Sequence, residues 1–224
     1  MKNLLLFTLM FLAFSCKKKE DQTIIYGYEY FPIIEGNFVV YDVLDIFHDE
    51  ALFPAHDSTT YQIKEVIGET EVDGEGEEYQ KLRRYFRAND TLDWTIQDVW
   101  TIKRTSRNAE VLEENQRVVK MAFAISYNQY WDCNALNPED KEACYYSKIY
   151  RPFSIPVQDF DSTVTVERQD FSSYIEYLRS YDVYAPRIGL VHSTRKDIRI
   201  NNGDTLDIAY GSELFYTAVD WGQE

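Results

Sequence analysis

Catalysis or metal binding in this chain would have to start from three histidines, His48, His56 and His192. They are spread along the sequence, with no His-x-x-x-His pair and no His-Glu-x-x-His motif to hold a metal on one helix face. His56-Asp57-Ser58 has the residue types of a hydrolase, but a Ser-His-Asp triad draws its members from separate segments, not from adjacent positions. No Gly-x-Ser-x-Gly elbow, phosphate loop or dinucleotide glycine fingerprint occurs. His192 falls on one strand face with Leu190, Ile198 and Ile200, which reads as a packed, hydrogen-bonded side chain. The acidic run Glu69, Glu71, Asp73, Glu75, Glu77 and Glu78 offers the hard oxygen ligands that calcium takes, but its spacing is not that of an EF-hand loop. It reads instead as a solvated cluster that protects a sheet edge. Two facing carboxylates could cleave glycosides, yet with 38 Asp and Glu such a pair has no preferred position. No catalytic residue, metal ligand or cofactor is nominated, and a non-catalytic protein is expected.

The elements that would position any site begin behind a leader. Lys2 precedes Leu4 to Phe14, a run without charge whose only polar member is Thr8. It is too short for a ~30 Å hydrocarbon core, which takes about 20 residues, and it fits the apolar region of a secretory signal peptide. The run ends in Ala13-Phe14-Ser15-Cys16, followed by Lys17-Lys18-Lys19. This resembles a bacterial lipoprotein box, although Phe14 stands where a small or β-branched residue is more usual. The resemblance implies that Cys16 is lipidated and becomes the first mature residue. Several acyl chains, at ~0.8 kcal/mol per buried methylene, make such anchoring permanent. Residues 1–15 are then the signal peptide, 16–30 a lipidated tether and 31–224 the folded domain. Lys19-Glu20-Asp21 resembles the Lys-acid-acid signal of lipoproteins exported by Bacteroidetes-type bacteria. The expected location is the outer membrane, facing the periplasm or the cell surface.

Charge supports a domain held at a membrane without adhering to its headgroups. The chain carries −15; processing leaves 22 Lys and Arg against 38 Asp and Glu, a net −16, and −19 beyond the three tether lysines. Nucleic acid and anionic lipid both demand clustered Lys and Arg, so neither is an expected partner of the domain. An unknown protein or ligand partner is expected instead.

Cys133 and Cys144 remain, in a compartment where disulfides persist. The segment between them reads as a loop with one helical turn: Asn137 can N-cap, Pro138 suits the first helical position, and Glu139 and Asp140 favour the positive end. Such a turn folds the chain back and favours a bridge, worth about 3 kcal/mol in the chain-entropy picture. Metal binding is the competing reading, without a Cys-x-x-Cys or a nearby histidine to support it.

Elsewhere the dominant period is two. Trp94, Ile96, Trp100 and Ile102 share one face; Tyr61, Ile63 and Ile67 share another; Leu206, Ile208, Tyr210, Leu214, Tyr216 and Ala218 a third. Residues 38–47 are apolar on both faces, as in a central strand. Asp73-Gly74 and Asn202-Gly203 are two-residue hairpin signals, Pro186 to Gly189 makes a further turn, and Gly211 marks a bulge. Segment 171–181 has helical spacing but a tyrosine content that favours a strand. The reading is a mostly β single domain of about nine to eleven antiparallel strands, a curved sheet or half-barrel, with a β-sandwich as the alternative and minimal helix.

At this point the residues match a wider pattern. Tyr30-Phe31-Pro32, Gly36-Asn37-Phe38 and Tyr41, then Trp131-Asp132-Cys133-Asn134, Phe160 to Val166 and Tyr184 to Val191, together resemble a group of uncharacterised Bacteroidetes-type exported lipoproteins. That group implies a β-rich exported domain and no activity. It has glycine where this chain has Cys133, which favours a bridge particular to this lineage over a metal site. Asp-Ser/Thr followed by a small aliphatic residue or Thr also resembles the O-glycosylation signal of such bacteria, making Ser58, Thr91, Ser162 and Thr205 candidate acceptors. Asx turns explain the same dipeptides.

Aromatics, 16% of the chain, are the one lead to a ligand. Tyr130, Trp131, Tyr145 and Tyr146 crowd around the two cysteines and could stack on sugars or apolar molecules, or simply fill the core. Three roles are in competition. One is a lipid-anchored, non-catalytic binding or structural module. The second is a half-barrel carrier or chaperone of an apolar ligand or lipid, with a pocket lined by Trp94, Trp100 and Phe38. The third is a surface glycan-binding or glycan-processing protein.

Overall fold

The computed structural model describes residues 25–224; the leader, Cys16 and most of the tether lie outside the described residues. Twelve strands follow a short 3-10 helix at Tyr28–Tyr30: β1 Asn37–Asp49, β2 His56–Val72, β3 Glu78–Arg87, β4 Thr95–Arg104, β5 Asn108–Glu113, β6 Gln116–Ala122, β7 Tyr130–Asp132, β8 Ala143–Ile155, β9 Gln158–Ser172, β10 Glu176–Ala185, β11 Gly189–Asn201 and β12 Asp204–Gln223. They form one antiparallel sheet in the order β6-β5-β4-β3-β2-β1-β12-β11-β10-β9-β8-β7. The chain thus starts in the middle, meanders outward to β6, crosses to the far edge and meanders back. The doubly apolar segment 38–47 is indeed central, with β2 and β12 on either side.

The strand number and the shape both correct the expectation of nine to eleven strands in a half-barrel, and a single sheet replaces the sandwich alternative. β6 and β7, the two ends of the sheet, come together, because the loop after β7 bonds across the gap. The Val119 amide donates to the Cys133 carbonyl (2.9 Å), the Trp131 indole to the Val119 carbonyl (3.0 Å), and the Asn137 amide to the Arg117 carbonyl (3.0 Å). From the other side the Tyr146 hydroxyl donates to the Ala122 carbonyl (2.7 Å). A twisted sheet of this size curls, and these side-chain and main-chain bonds finish a nearly closed barrel. The short strands β5, β6 and β7 lack a long alternating run, so period-two reading undercounts them.

The turns follow local chemistry in part. Asn202 and Gly203 have φ of 55° and 74° between the paired residues Asn201 and Asp204, the two positive values a two-residue hairpin needs. Asp73-Gly74 instead opens a longer loop, in which the Asp73 carboxylate accepts the amides of Glu75 and Glu77, each at 2.9 Å. The register passes Gly211 without a shift, between His48 and Ile198. Its glycine is needed for close approach and not for a bulge, since a Cβ there would lie 2.2 Å from the Asp197 carbonyl oxygen. Residues 133–140 form turns and no helix; Asn137 caps only the Glu139 amide (3.0 Å). The chain joins the barrel before residue 31. Tyr30 is buried, the Tyr28 ring packs edge-on to Phe123, and Arg104 donates to the Tyr28 and Phe31 carbonyls, so the end of the expected tether belongs to the folded body.

Candidate functional site

The inside of the barrel is divided. One part is apolar and filled around Tyr30, Met121, Tyr146, Val164, Val166 and the two cysteines. Between that core and the inward faces of β1 to β5 and β9 to β12 lies a cavity of about 440 Å³. Alternation decides what reaches it. Glu65 and Ile67 on β2, Leu82 and Arg84 on β3, Trp100 and Ile102 on β4, Val111 on β5, and Leu214 and Tyr216 on β12 all face inward and line it, with Phe31, Pro32 and Phe38 from the start of the domain.

Half of that wall is apolar, made by Phe31, Ile67, Leu82, Trp100, Ile102 and Val111. The other half is ionic. Arg84 is 6% exposed; its guanidinium donates to Glu65 (3.0 Å), Asp98 (3.4 Å) and the Tyr216 hydroxyl (3.4 Å), and lies 3.8 Å over the Trp100 ring. Arg195 Nη2 donates to both Asp182 oxygens, at 2.9 and 3.1 Å, while its Nη1 is held by the Tyr181 and Thr194 carbonyls. Lys120 reaches Glu113 at 2.7 Å. Arg168 donates to Glu142 at 2.7 Å, and its Nε is buried without a hydrogen-bond acceptor among the described residues.

Two carboxyls on this wall are shifted in opposite directions. Burial pushes the Glu65 carboxyl up, against the pull of Arg84. Burial would also raise Asp182, but Arg195, with Lys120 and Arg168 behind it, outweighs that and holds it below the ordinary range. Desolvation and opposite charge compete at both sites, and the three cations around Asp182 win there.

The sequence-derived candidates are sorted by the sheet. Trp100 and Phe38 do line the cavity. Trp94 does not: the register shifts between Arg84 and Tyr85, where Gln97 is the extra residue, so Ile96 and Trp94 leave the face of Trp100. Trp94 packs outside under Arg87, whose guanidinium is 4.2 Å from its ring. The expected aromatic surface splits likewise. Tyr130, exposed, and Tyr145 pair on one side with ring centroids 5.3 Å apart. Trp131 and the buried Tyr146 pack together inside at 4.9 Å and close the barrel, so they are not a ligand surface. Cys133 and Cys144 form a disulfide, with Cα atoms 5.8 Å apart, a normal span for one. Of the candidate acceptors, Thr91 sits in an exposed turn and Thr205 at the exposed start of β12, while Ser58 lies exposed within β2. Ser162 is half-buried on β9 and bonded to the Tyr30 hydroxyl (2.8 Å).

The acidic run lies on a hairpin between interior strands, not on a sheet edge, where Lys81, Arg83 and Lys103 pair with Glu71, Glu69 and Glu77. His192 is packed as expected, between the hydroxyls of Thr217 (3.2 Å) and Thr194 (3.0 Å), and burial lowers its basicity. It does so on the opposite face from Leu190, because the register shifts between Val183 and Tyr184. The other two histidines, distant from any motif, meet directly: His48 and His56 are opposite each other on β1 and β2, with Nδ1 atoms 2.8 Å apart.

The ionic half of the cavity was not legible from sequence, since Glu65, Arg84, Asp98, Asp182 and Arg195 are ordinary alternating charges until the barrel turns them inward. Gly-poor strands with single charges at apolar-face positions are the only signal that could have pointed there.

No family model matches the chain, and no curated protein matches it. Two solved structures are similar to it. One, from Bacteroides fragilis NCTC 9343, is of a protein proposed to be exported, with a YmcC-like fold; it is 12% identical, with 86% of this chain and 98% of that one covered and a TM-score of 0.45. The other, from Parabacteroides distasonis ATCC 8503, is of a protein proposed to be a lipoprotein; it is also 12% identical, with 90% and 100% covered and a TM-score of 0.45. At that similarity neither bears on what this chain does.

Proposed function

We propose that this protein is an exported, lipid-anchored binding barrel whose interior takes one small amphipathic molecule. The observation that carries the reading is the cavity itself. Its ~440 Å³ volume falls in the range of small-molecule sites, and its wall divides into an apolar half around Trp100 and an ionic half around Arg84 and Asp182. An apolar tail would lie against Leu82, Ile102 and Val111, and a polar head would exchange hydrogen bonds with groups already held in place by ion pairs. Anchoring rests on the leader and Cys16. It would keep the barrel at the outer membrane, near a supply of amphiphiles, while its acidity keeps it off anionic headgroups.

Two measurements test the two parts. A dansyl-labelled fatty acid is expected to bind the mature protein one to one, and Val111→Trp, which fills the apolar half, is expected to weaken binding at least tenfold with the far-UV spectrum unchanged. Equal affinity in the variant would remove the cavity as the site. Separately, cells fed an alkyne-tagged palmitate should label the wild-type protein and not Cys16→Ser; equal labelling of both would remove the anchor.

A further inference from the structure

The geometry points to a divalent transition-metal site on the outer face of the barrel, made by Nδ1 of His48 and Nδ1 of His56. The two residues are directly opposite in the β1–β2 pair, so both side chains leave the same face of the sheet. His48 is buried and His56 exposed, which gives the site one fixed and one accessible ligand.

The tautomer of His48 follows from its second nitrogen. His48 Nε2 lies 3.0 Å from a carboxylate oxygen of Glu213 on β12, itself buried. A carboxylate only accepts, so Nε2 carries the proton and Nδ1 of neutral His48 is a bare lone pair. Lys196 makes an ion pair with the other Glu213 oxygen, which leaves the first for His48. This is the carboxylate–histidine arrangement that orients metal-ligating imidazoles and raises their basicity.

In that tautomer the lone pair of His48 faces the Nδ1 of His56 at 2.8 Å, and a hydrogen on His56 Nδ1 fills the gap between the two nitrogens. Zn–N bonds of ~2.0–2.1 Å put two ligands of a tetrahedral ion roughly 3.3 Å apart. The exposed His56 ring therefore has to retreat by roughly half an ångström, and to carry its proton on Nε2 instead, for an ion to replace that hydrogen. Among the described residues no third His, Cys, Asp or Glu joins the pair into a larger cluster. The remaining positions would be water or a group from a bound molecule, and imidazole nitrogens select copper, zinc or nickel over calcium or magnesium.

Zinc titrated into the mature full-length protein, followed by calorimetry and by the imidazole proton resonances, tests this. One equivalent is expected to bind, shifting the resonances of His48 and His56 and not those of His192. His56→Ala, at an exposed position, is expected to fold normally and to lose the binding. Glu213→Gln, which keeps the shape but can offer its amide to His48, is expected to weaken it 10- to 100-fold. Absence of saturable binding, or a wild-type affinity in His56→Ala, overturns the site. A wild-type affinity in Glu213→Gln overturns the positioning role of Glu213.

Discussion

Arg84→Met is expected to destabilise the barrel by about 3–5 kcal/mol, the usual result of removing one member of a buried ion cluster. The arginine is 6% exposed and serves Glu65, Asp98 and Tyr216 together while stacking on Trp100. Methionine keeps much of the packing but leaves Glu65, whose carboxyl is already pushed up by burial, without its cation. Urea unfolding of the single variant, of Glu65→Gln and of the double variant separates these contributions. The double variant should recover part of the loss, because the uncompensated charge is then gone. A loss in Arg84→Met below about 1 kcal/mol, the range of surface pairs, would mean that water reaches this wall freely and that it is not the enclosed polar half of a binding cavity. The same variant is informative about ligand, since it alters the polar end of the cavity and leaves Val111 and Leu82 untouched.

Replacing Cys133 and Cys144 by serine is expected to cost about 3 kcal/mol, from the freedom that the unfolded chain regains. The sequence separation is 11 residues, so the enclosed loop is short. The local consequence is more specific than the total. The Cys133 carbonyl accepts the Val119 amide and the Cys133 amide donates to Glu142, so the bridge holds the loop that seals β6 to β7. Amide exchange at Val119 and at residue 133 should accelerate in the variant by more than exchange at Val43 in the central strand. Uniform acceleration across the sheet would show that the bridge stabilises the fold without acting on the seam. Both cysteines are buried, so reducing agent added to the folded protein should act slowly, through opening of this loop.

Reading the sequence recovered those features that depend on neighbours along the chain. Alternation at Tyr61, Ile63 and Ile67 describes one inward face of β2, and Asn202-Gly203 makes the hairpin its backbone preferences demand. Some of the failures share a source. At Trp94 and His192 a single extra residue in a neighbouring register turns the rest of the strand over, and nothing in the strand's own residues announces it. On β12 the same thing happens at Ala209, the extra residue opposite Arg199 and Ile200, which puts Ile208 on the other face from Tyr210, Leu214 and Tyr216. Tyr146 and Trp131 read as a binding platform because aromatics serve cores and surfaces equally well.

What the sequence determined by itself is therefore local and chemical. It carries an apolar run shortly before a cysteine, an acidic composition, strands of period two, and two cysteines in a segment able to turn back. Closure of the barrel belongs to the tertiary structure alone. Only closure gives single charged residues on β2, β3, β4, β10 and β11 a common, water-poor interior, in which Arg84 and Arg195 must find acids. Only the pairing of β1 with β2 and β12 brings His48 to both His56 and Glu213. Sheet order and register are global properties, set by which edges meet when twisted strands close on themselves, and the residues of any one strand do not encode them.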